Sequence, residues 1–135
     1  MNQTDWHKQA FYRVSLKALI RNDKNEILMV SEYEESNISL PGGGMDHGEL
    51  PHDCLKRELY EEIGLTSDFS ESVVHVQTNW LETKQAWLMW ITYEIHYDEL
   101  DYSIGQDGQT VKWVNKEDIT VADYGQAIVD VLENV

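Results

Sequence analysis

The sequence predicts an α+β fold, on three observations. Several segments are rich in Val, Ile, Trp, Tyr and Thr and read as strands. One stretch, Pro51 to Ile63, carries the apolar spacing of an amphipathic helix. Strands and helices are mixed without regular βα alternation, so the helices are expected to pack on the faces of a mixed sheet. A chain of 135 residues suits one domain, 1–135, with one core.

Tyr12 to Ile20 reads as a first strand and Glu26 to Tyr33 as a second. Asn22-Asp23-Lys24-Asn25 between them has turn chemistry, so the two are expected to form a hairpin. Leu40-Pro41-Gly42-Gly43-Gly44 reads as a loop. In the helix that follows, Pro51 suits the first turn, where a missing N–H costs little, and Gly64 suits the position just past the end. Leu55, Leu59 and Ile63 mark its buried stripe. Val73 to Trp80 and Ala86 to Ile95 read as strands, Glu94 to Asp107 as a long acidic surface loop, and Thr110 to Val114 as a short strand. Asp123 to Leu132 reads as a closing helix with Ala127, Ile128, Val131 and Leu132 inward.

Charge narrows the partners. Ten Lys+Arg against 25 Asp+Glu leave a net charge of −15. Such a surface repels long nucleic acid and anionic lipid, whose affinity for proteins rests on basic residues. A small phosphorylated ligand remains compatible if metal ions bridge its phosphates to carboxylates. No apolar run approaches a membrane span, and Met1 to Ala10 lacks an apolar export segment. The single cysteine, Cys54, forms no internal disulfide. A cytoplasmic protein, monomer or homodimer, is expected.

The chemistry concentrates between Gly43 and Leu65. Glu58, Glu61 and Glu62 stand at i, i+3 and i+4 and share one helix face. Three like charges there repel one another unless a cation sits among them, and a hard ion such as Mg²⁺ takes oxygen ligands of this kind. Arg57 is placed to pair with Glu61, four residues on, or with Glu49 across the loop-helix junction. The apolar stripe opposite holds the helix to the core and displays the carboxylates from a rigid element. A merely solvated acidic face has the same composition; the glycines before the helix, which permit close backbone approach, weigh against it.

The segment GGMDHGELPHDCLKRELYEEIGL fills every specified position of the Nudix box: Gly43, Glu49, Arg57, Glu58, Leu59, Glu61, Glu62, Gly64 and Leu65. The chain thus resembles the Nudix hydrolase family, its MutT-like members in particular, over about a sixth of its length by motif. The resemblance implies an α/β/α sandwich with a mixed sheet and a metal-dependent hydrolysis of a phosphoanhydride bond in a nucleoside-diphosphate-linked compound. It implies Glu58, Glu61 and Glu62 as ligands of Mg²⁺, or Mn²⁺ in its place, helped by the Gly43 carbonyl. It implies Arg57 and Glu49 as the pair that orients the site, with Glu58 the candidate base. Leu50 departs from the Ser or Thr the family often carries there as a helix cap.

Outside the box, Asp107 resembles the accessory acid that many members supply from a loop, as metal ligand or base; a solvated Asp-Gly turn reads the same way. Asp123 aligns with a position that reads a purine edge in MutT-like proteins, and equally suits the N-cap of the closing helix. Trp80, Trp87, Trp90 and Tyr33 are candidates for stacking on a base, although aromatics in strands usually serve the core. His47 lies in the box loop and is read as solvent-facing. The only prolines are Pro41 and Pro51, and Trp80 and Leu81 stand where a dinucleoside-polyphosphate branch carries Tyr. These absences favour a nucleoside triphosphate over a sugar nucleotide or dinucleotide. A non-catalytic Nudix-fold binding module is the rival from another class; such proteins usually lose box glutamates, and all are present.

Overall fold

A computed structural model describes residues 11–32, 36–103 and 110–135. Among the described residues, seven strands form two sheets. β1 (Tyr12–Leu19), β4 (Gly42–Gly44), β5 (Phe69–Leu81) and β6 (Ala86–Tyr97) make a four-stranded sheet in the order β4-β1-β6-β5. It is mixed, because β1 runs parallel to β6 and the other pairs are antiparallel. β2 (Ile27–Glu32), β3 (Ser36–Ser39) and β7 (Thr110–Val114) make an antiparallel sheet in the order β3-β2-β7.

Two apolar clusters hold the layers. β2 is apolar and buried on both faces through Ile27, Leu28, Met29 and Val30, while β1 buries Leu16 and Ala18 on one face and Leu19 on the other. On one face Leu16, Ala18, Leu28 and Val30 meet Cys54, Leu55, Leu59 and Ile63 of helix α1 (Pro51–Ile63). On the other, Leu19, Ile27 and Met29 meet Ile128, Val131 and Leu132 of helix α3 (Gln126–Glu133). The expected α+β sandwich, helices on both faces of a sheet layer, is what the chain forms. No helix among the described residues is long and apolar enough to cross a membrane.

Helix α1 has the bounds the sequence predicts. Pro51 opens it, and Gly64 closes it in the left-handed conformation at φ 63°, its N–H bonded to the last carbonyls. No side chain replaces the missing cap at Leu50.

Four expectations are corrected. The turn at Asn22–Asn25 forms, with the Asn22 side chain accepting from the Lys24 and Glu26 amides, but no hairpin ladder follows it. After a single bridge between Arg21 and Ile27 the two strands part into different sheets, because β6 claims the edge of β1 and β7 that of β2. The glycines read as a loop form β4, paired with β1 at Lys17–Gly42, Leu16–Gly43 and Ser15–Gly44. The acidic loop read from Glu94 begins only after Tyr97: Tyr93, Ile95 and Tyr97 turn into the core, while Glu94 meets Arg21 at 3.3 Å and His96 meets Ser72. The polar residues there are the outer face of a strand, not a loop. The single closing helix is two, α2 (Val121–Tyr124) and α3, broken at Gly125, whose φ of 86° no helical residue adopts.

β5 and β6 pair along their whole lengths around a 3-10 turn at Glu82–Lys84, with a register shift between Val73 and His75. Asp107 and Tyr33 lie outside the described residues.

The glycines of β4 differ in what they tolerate. A Cβ on Gly42, at φ 137°, would stand 2.0 Å from the Leu16 carbonyl oxygen, whereas at Gly44 the nearest atom is 3.8 Å away. Gly42→Ala should therefore lower stability by about 2 kcal/mol or more, as strained backbone and a blocked strand pairing demand. Gly44→Ala should change it by less than about 1 kcal/mol. Thermal unfolding of the two variants side by side checks this; equal melting temperatures would contradict the β1–β4 register.

Candidate active site

The box residues meet where α1 passes beneath β4. Arg57 is the hub. Its Nε and Nη2 donate to the two oxygens of Glu49 at 2.8 and 2.9 Å, a two-pronged pair. Its Nη1 donates to Glu58 Oε1 at 2.9 Å and to Glu61 Oε2 at 3.5 Å, and Nη2 also reaches the Gly44 carbonyl at 3.1 Å. Both pairings open in the sequence, with Glu49 and with Glu61, are thus made at once. Glu49 in turn accepts from the Asp46 amide at 3.0 Å, which fixes the box loop.

Glu62 is on the same side of the helix but buried, with 7 % of its surface exposed. One of its oxygens accepts from the Gly42 amide at 2.7 Å, tying α1 to β4. Gly43 makes room for Glu58: a Cβ there would stand 2.6 Å from the carboxyl carbon. The Cys54 thiol lies 3.8 Å from both the Gly43 and Gly44 carbonyls.

Proton affinities follow from these contacts. The Arg57 guanidinium and the Asp46 amide hold the Glu49 carboxyl down to about 2. Arg57, gripped first by Glu49, is held even more firmly protonated than usual. Glu58 moves the other way. Burial raises its carboxyl above the ordinary value, Arg57 opposes this, and the Glu61 charge adds to the rise. Burial pushes the Cys54 thiol up to about 12, so it is no nucleophile near neutral pH.

Among the described residues, no three acidic, His or Cys side chains already surround one point. Glu58 and Glu61 turn to Arg57, and Glu62 to Gly42. The donor set nevertheless fits a hard divalent ion. Two carboxylates share one Arg57 nitrogen, one of them is desolvated and raised in pKa, and the Gly43 backbone, whose carbonyl meets only the weak Cys54 thiol donor at 3.8 Å, lies against Glu58. A cation relieves the repulsion that this arrangement contains.

The other sequence candidates lie apart from this hub. Asp123 sits in α2 and lines a cleft of about 530 Å³ with Trp113, Asn115 and Asp118. It is not the N-cap: Thr120 caps α2, accepting from the Asp123 amide and donating to the Asp123 carboxylate at 3.1 Å. Trp80 and Trp87 stack edge-on at 5.4 Å near the tip of the β5–β6 hairpin, both partly exposed. Trp90 lies under Lys17. Sequence reasoning missed the Gly42 amide, the Gly44 carbonyl and Lys17, although the alternation Arg13, Ser15, Lys17 along β1 marked a polar strand face.

A family model described as the NUDIX domain matches residues 11–134. The chain belongs to the Nudix family. Among curated proteins, the RNA pyrophosphohydrolase of Mannheimia succiniciproducens is 33% identical over 95 residues, 70% of this chain and 45% of that protein. The RNA pyrophosphohydrolase of Ruthia magnifica is 39% identical over 70 residues, 52% of this chain and 38% of that one. This Nudix chain spans less than half the length of those relatives. Among solved structures, the MutT protein of Methanosarcina mazei shares 26% identity at a TM-score of 0.74, covering 93% of each chain. The MutT Nudix hydrolase of Burkholderia pseudomallei, at 22% identity and a TM-score of 0.76, covers 93% of this chain and 98% of its own; that likeness is one of fold.

The Arg57 fork should tolerate Lys badly, because one ammonium cannot span both Glu49 oxygens and still reach Glu58. Arg57→Lys is expected to lower stability by about 1–3 kcal/mol and to weaken Mn²⁺ binding. Denaturant unfolding and a metal titration on the variant check this; wild-type values in both would dismantle the hub.

Proposed function

We propose that this Nudix domain hydrolyses a phosphoanhydride bond in a nucleoside-diphosphate-linked compound, a nucleoside triphosphate first, with Mg²⁺ as cofactor and Mn²⁺ as its substitute. The observation that carries the reading is the complete box, folded so that Arg57 binds Glu49, Glu58 and Glu61 together on one face. A cytoplasmic setting suits a chain whose one cysteine is a free, buried thiol.

In this reading Glu58, Glu61, Glu62 and the Gly43 carbonyl hold the metal, and Asp107, outside the described residues, joins them from its loop. When bound, the ion neutralises phosphate charge and holds the diphosphate for in-line attack. The protein's own residues do the rest. Glu49 and Arg57 keep the carboxylates aimed. Glu58 accepts the proton of the attacking water as the water oxygen bonds to phosphorus and the P–O bond to the leaving phosphate breaks.

The relatives named RNA pyrophosphohydrolase favour a second substrate, the 5′-triphosphate end of an RNA. It offers the same phosphate chemistry. A net charge of −15 disfavours any longer RNA track, so the free nucleotide stands first.

Glu61→Gln and Glu62→Gln should each cut turnover by about 10²-fold or more with the fold intact, and chelation should abolish it. The assay is phosphate or pyrophosphate release from nucleoside triphosphates, sugar nucleotides, dinucleotides and a short 5′-triphosphorylated RNA. Near-wild-type turnover in both variants at saturating Mg²⁺ would remove the metal assignment. Ligand binding with no release from any substrate would make the chain a binding module.

Asp123 is proposed to read the base from its cleft. Asp123→Ala should flatten purine-over-pyrimidine preference by about 1–3 kcal/mol with metal affinity unchanged. A lowered melting temperature with the substrate ranking intact would reduce Asp123 to the partner of the Thr120 cap.

A further inference from the structure

β1 alternates Val14, Leu16 and Ala18 beneath α1 with Arg13, Ser15 and Lys17 on the opposite face. The register places Lys17 beside Thr92 of β6 and Gly42 of β4, and Ser15 beside Trp90 and Gly44. The Lys17 ammonium lies 5.1 Å from the centroid of the Trp90 ring, a cation held over an aromatic face. β4 puts no side chains between this face and the carboxylates, and Glu58 packs directly against Gly43. The same face holds unfilled polar capacity. Thr92 is fully buried, and neither its hydroxyl nor the Gln77 amide oxygen, one strand over beside Trp90, has a partner among the described residues.

We propose that Lys17 is a substrate-positioning residue: its ammonium, steadied over Trp90, takes a phosphate oxygen of the nucleotide from the sheet face opposite α1. This rests on the hydrolase reading above and adds to it. A phosphate chain held by metal and carboxylates on one side of β4 still presents oxygens to the other. Arg57 is turned to its own carboxylates, and the chain is strongly acidic, so a cation at this edge lowers the cost of bringing an anion in. If Lys17 served only to balance Glu58, its loss would change metal affinity and leave phosphate affinity alone.

The test compares full-length wild type, Lys17→Met and Lys17→Arg; Lys17→Gln replaces the methionine variant if that one fails to fold. Four quantities are read: calorimetric binding of inorganic tripolyphosphate at saturating Mg²⁺, Mn²⁺ binding without phosphate, and KM and kcat on a nucleoside triphosphate. Removing the charge should weaken tripolyphosphate about tenfold and raise KM by a similar factor, with kcat and Mn²⁺ affinity within about threefold. Lys17→Arg should stay within about threefold of wild type throughout. Unchanged tripolyphosphate affinity in the neutral variant, or a loss confined to Mn²⁺, would overturn the assignment while leaving hydrolysis standing. Lys17-dependent tripolyphosphate binding without turnover of any nucleotide would instead overturn the hydrolase reading and keep Lys17 as a phosphate contact.

Discussion

Arg57 binds three glutamates and a backbone carbonyl, and the arrangement of the site depends on that one guanidinium. Carboxylates crowded on one helix face repel each other, and that repulsion must be offset for them to stand together. A planar five-donor fork resolves the conflict by holding several carboxylates at fixed angles. Glu49 takes most of the fork and stays ionised. Glu58 takes a single prong and, being half-buried, keeps a raised proton affinity. Two glutamates near the same cation are thus given different acidities by burial, hydrogen bonding and the charges around them.

The scaffold serves the same end. α1 is fixed to the core by Leu55, Leu59 and Ile63, all fully buried, and to β4 by the bond from the Gly42 amide to Glu62. Its last turn is tied down as well: the Ser103 amide donates to the Ile63 carbonyl at 2.7 Å, and Asp101 accepts from the Thr66 and Ser67 amides. A helix held at its C-terminal end and along one side presents its carboxylates at a constant distance from the glycine strand.

The helix and the placing of its glutamates were legible because both are local. Pro51 and Gly64 mark the ends of α1, and the i, i+3, i+4 spacing of Glu58, Glu61 and Glu62 places them on one side whatever surrounds them. What failed to show in the sequence is non-local. Gly42–Gly44 has no strand propensity of its own and becomes a strand only because β1 lies beside it. The turn at Asn22–Asn25 is encoded, but whether its arms stay paired is decided by β6 and β7 far along the chain. Lys17 could be placed on a strand face, yet its meeting with Trp90 depends on a parallel pairing that periodicity does not contain. Gly125 was visible, but its positive φ, which splits the closing helix, was not.

The register shift in β5 between Val73 and His75 has a consequence for how the molecule behaves in a crowd. β5 is a thirteen-residue strand at the end of its sheet, with Val73 and Val76 exposed on it. A flat ribbon of that length is a template on which a second chain can add itself, strand upon strand. The irregularity falls in the stretch where those valines lie and throws the outer row of N–H and C=O groups out of step, so an incoming strand cannot follow it end to end. One extra residue in a ladder acts as a guard against self-association, placed on the opposite edge of the sheet from the glycine strand.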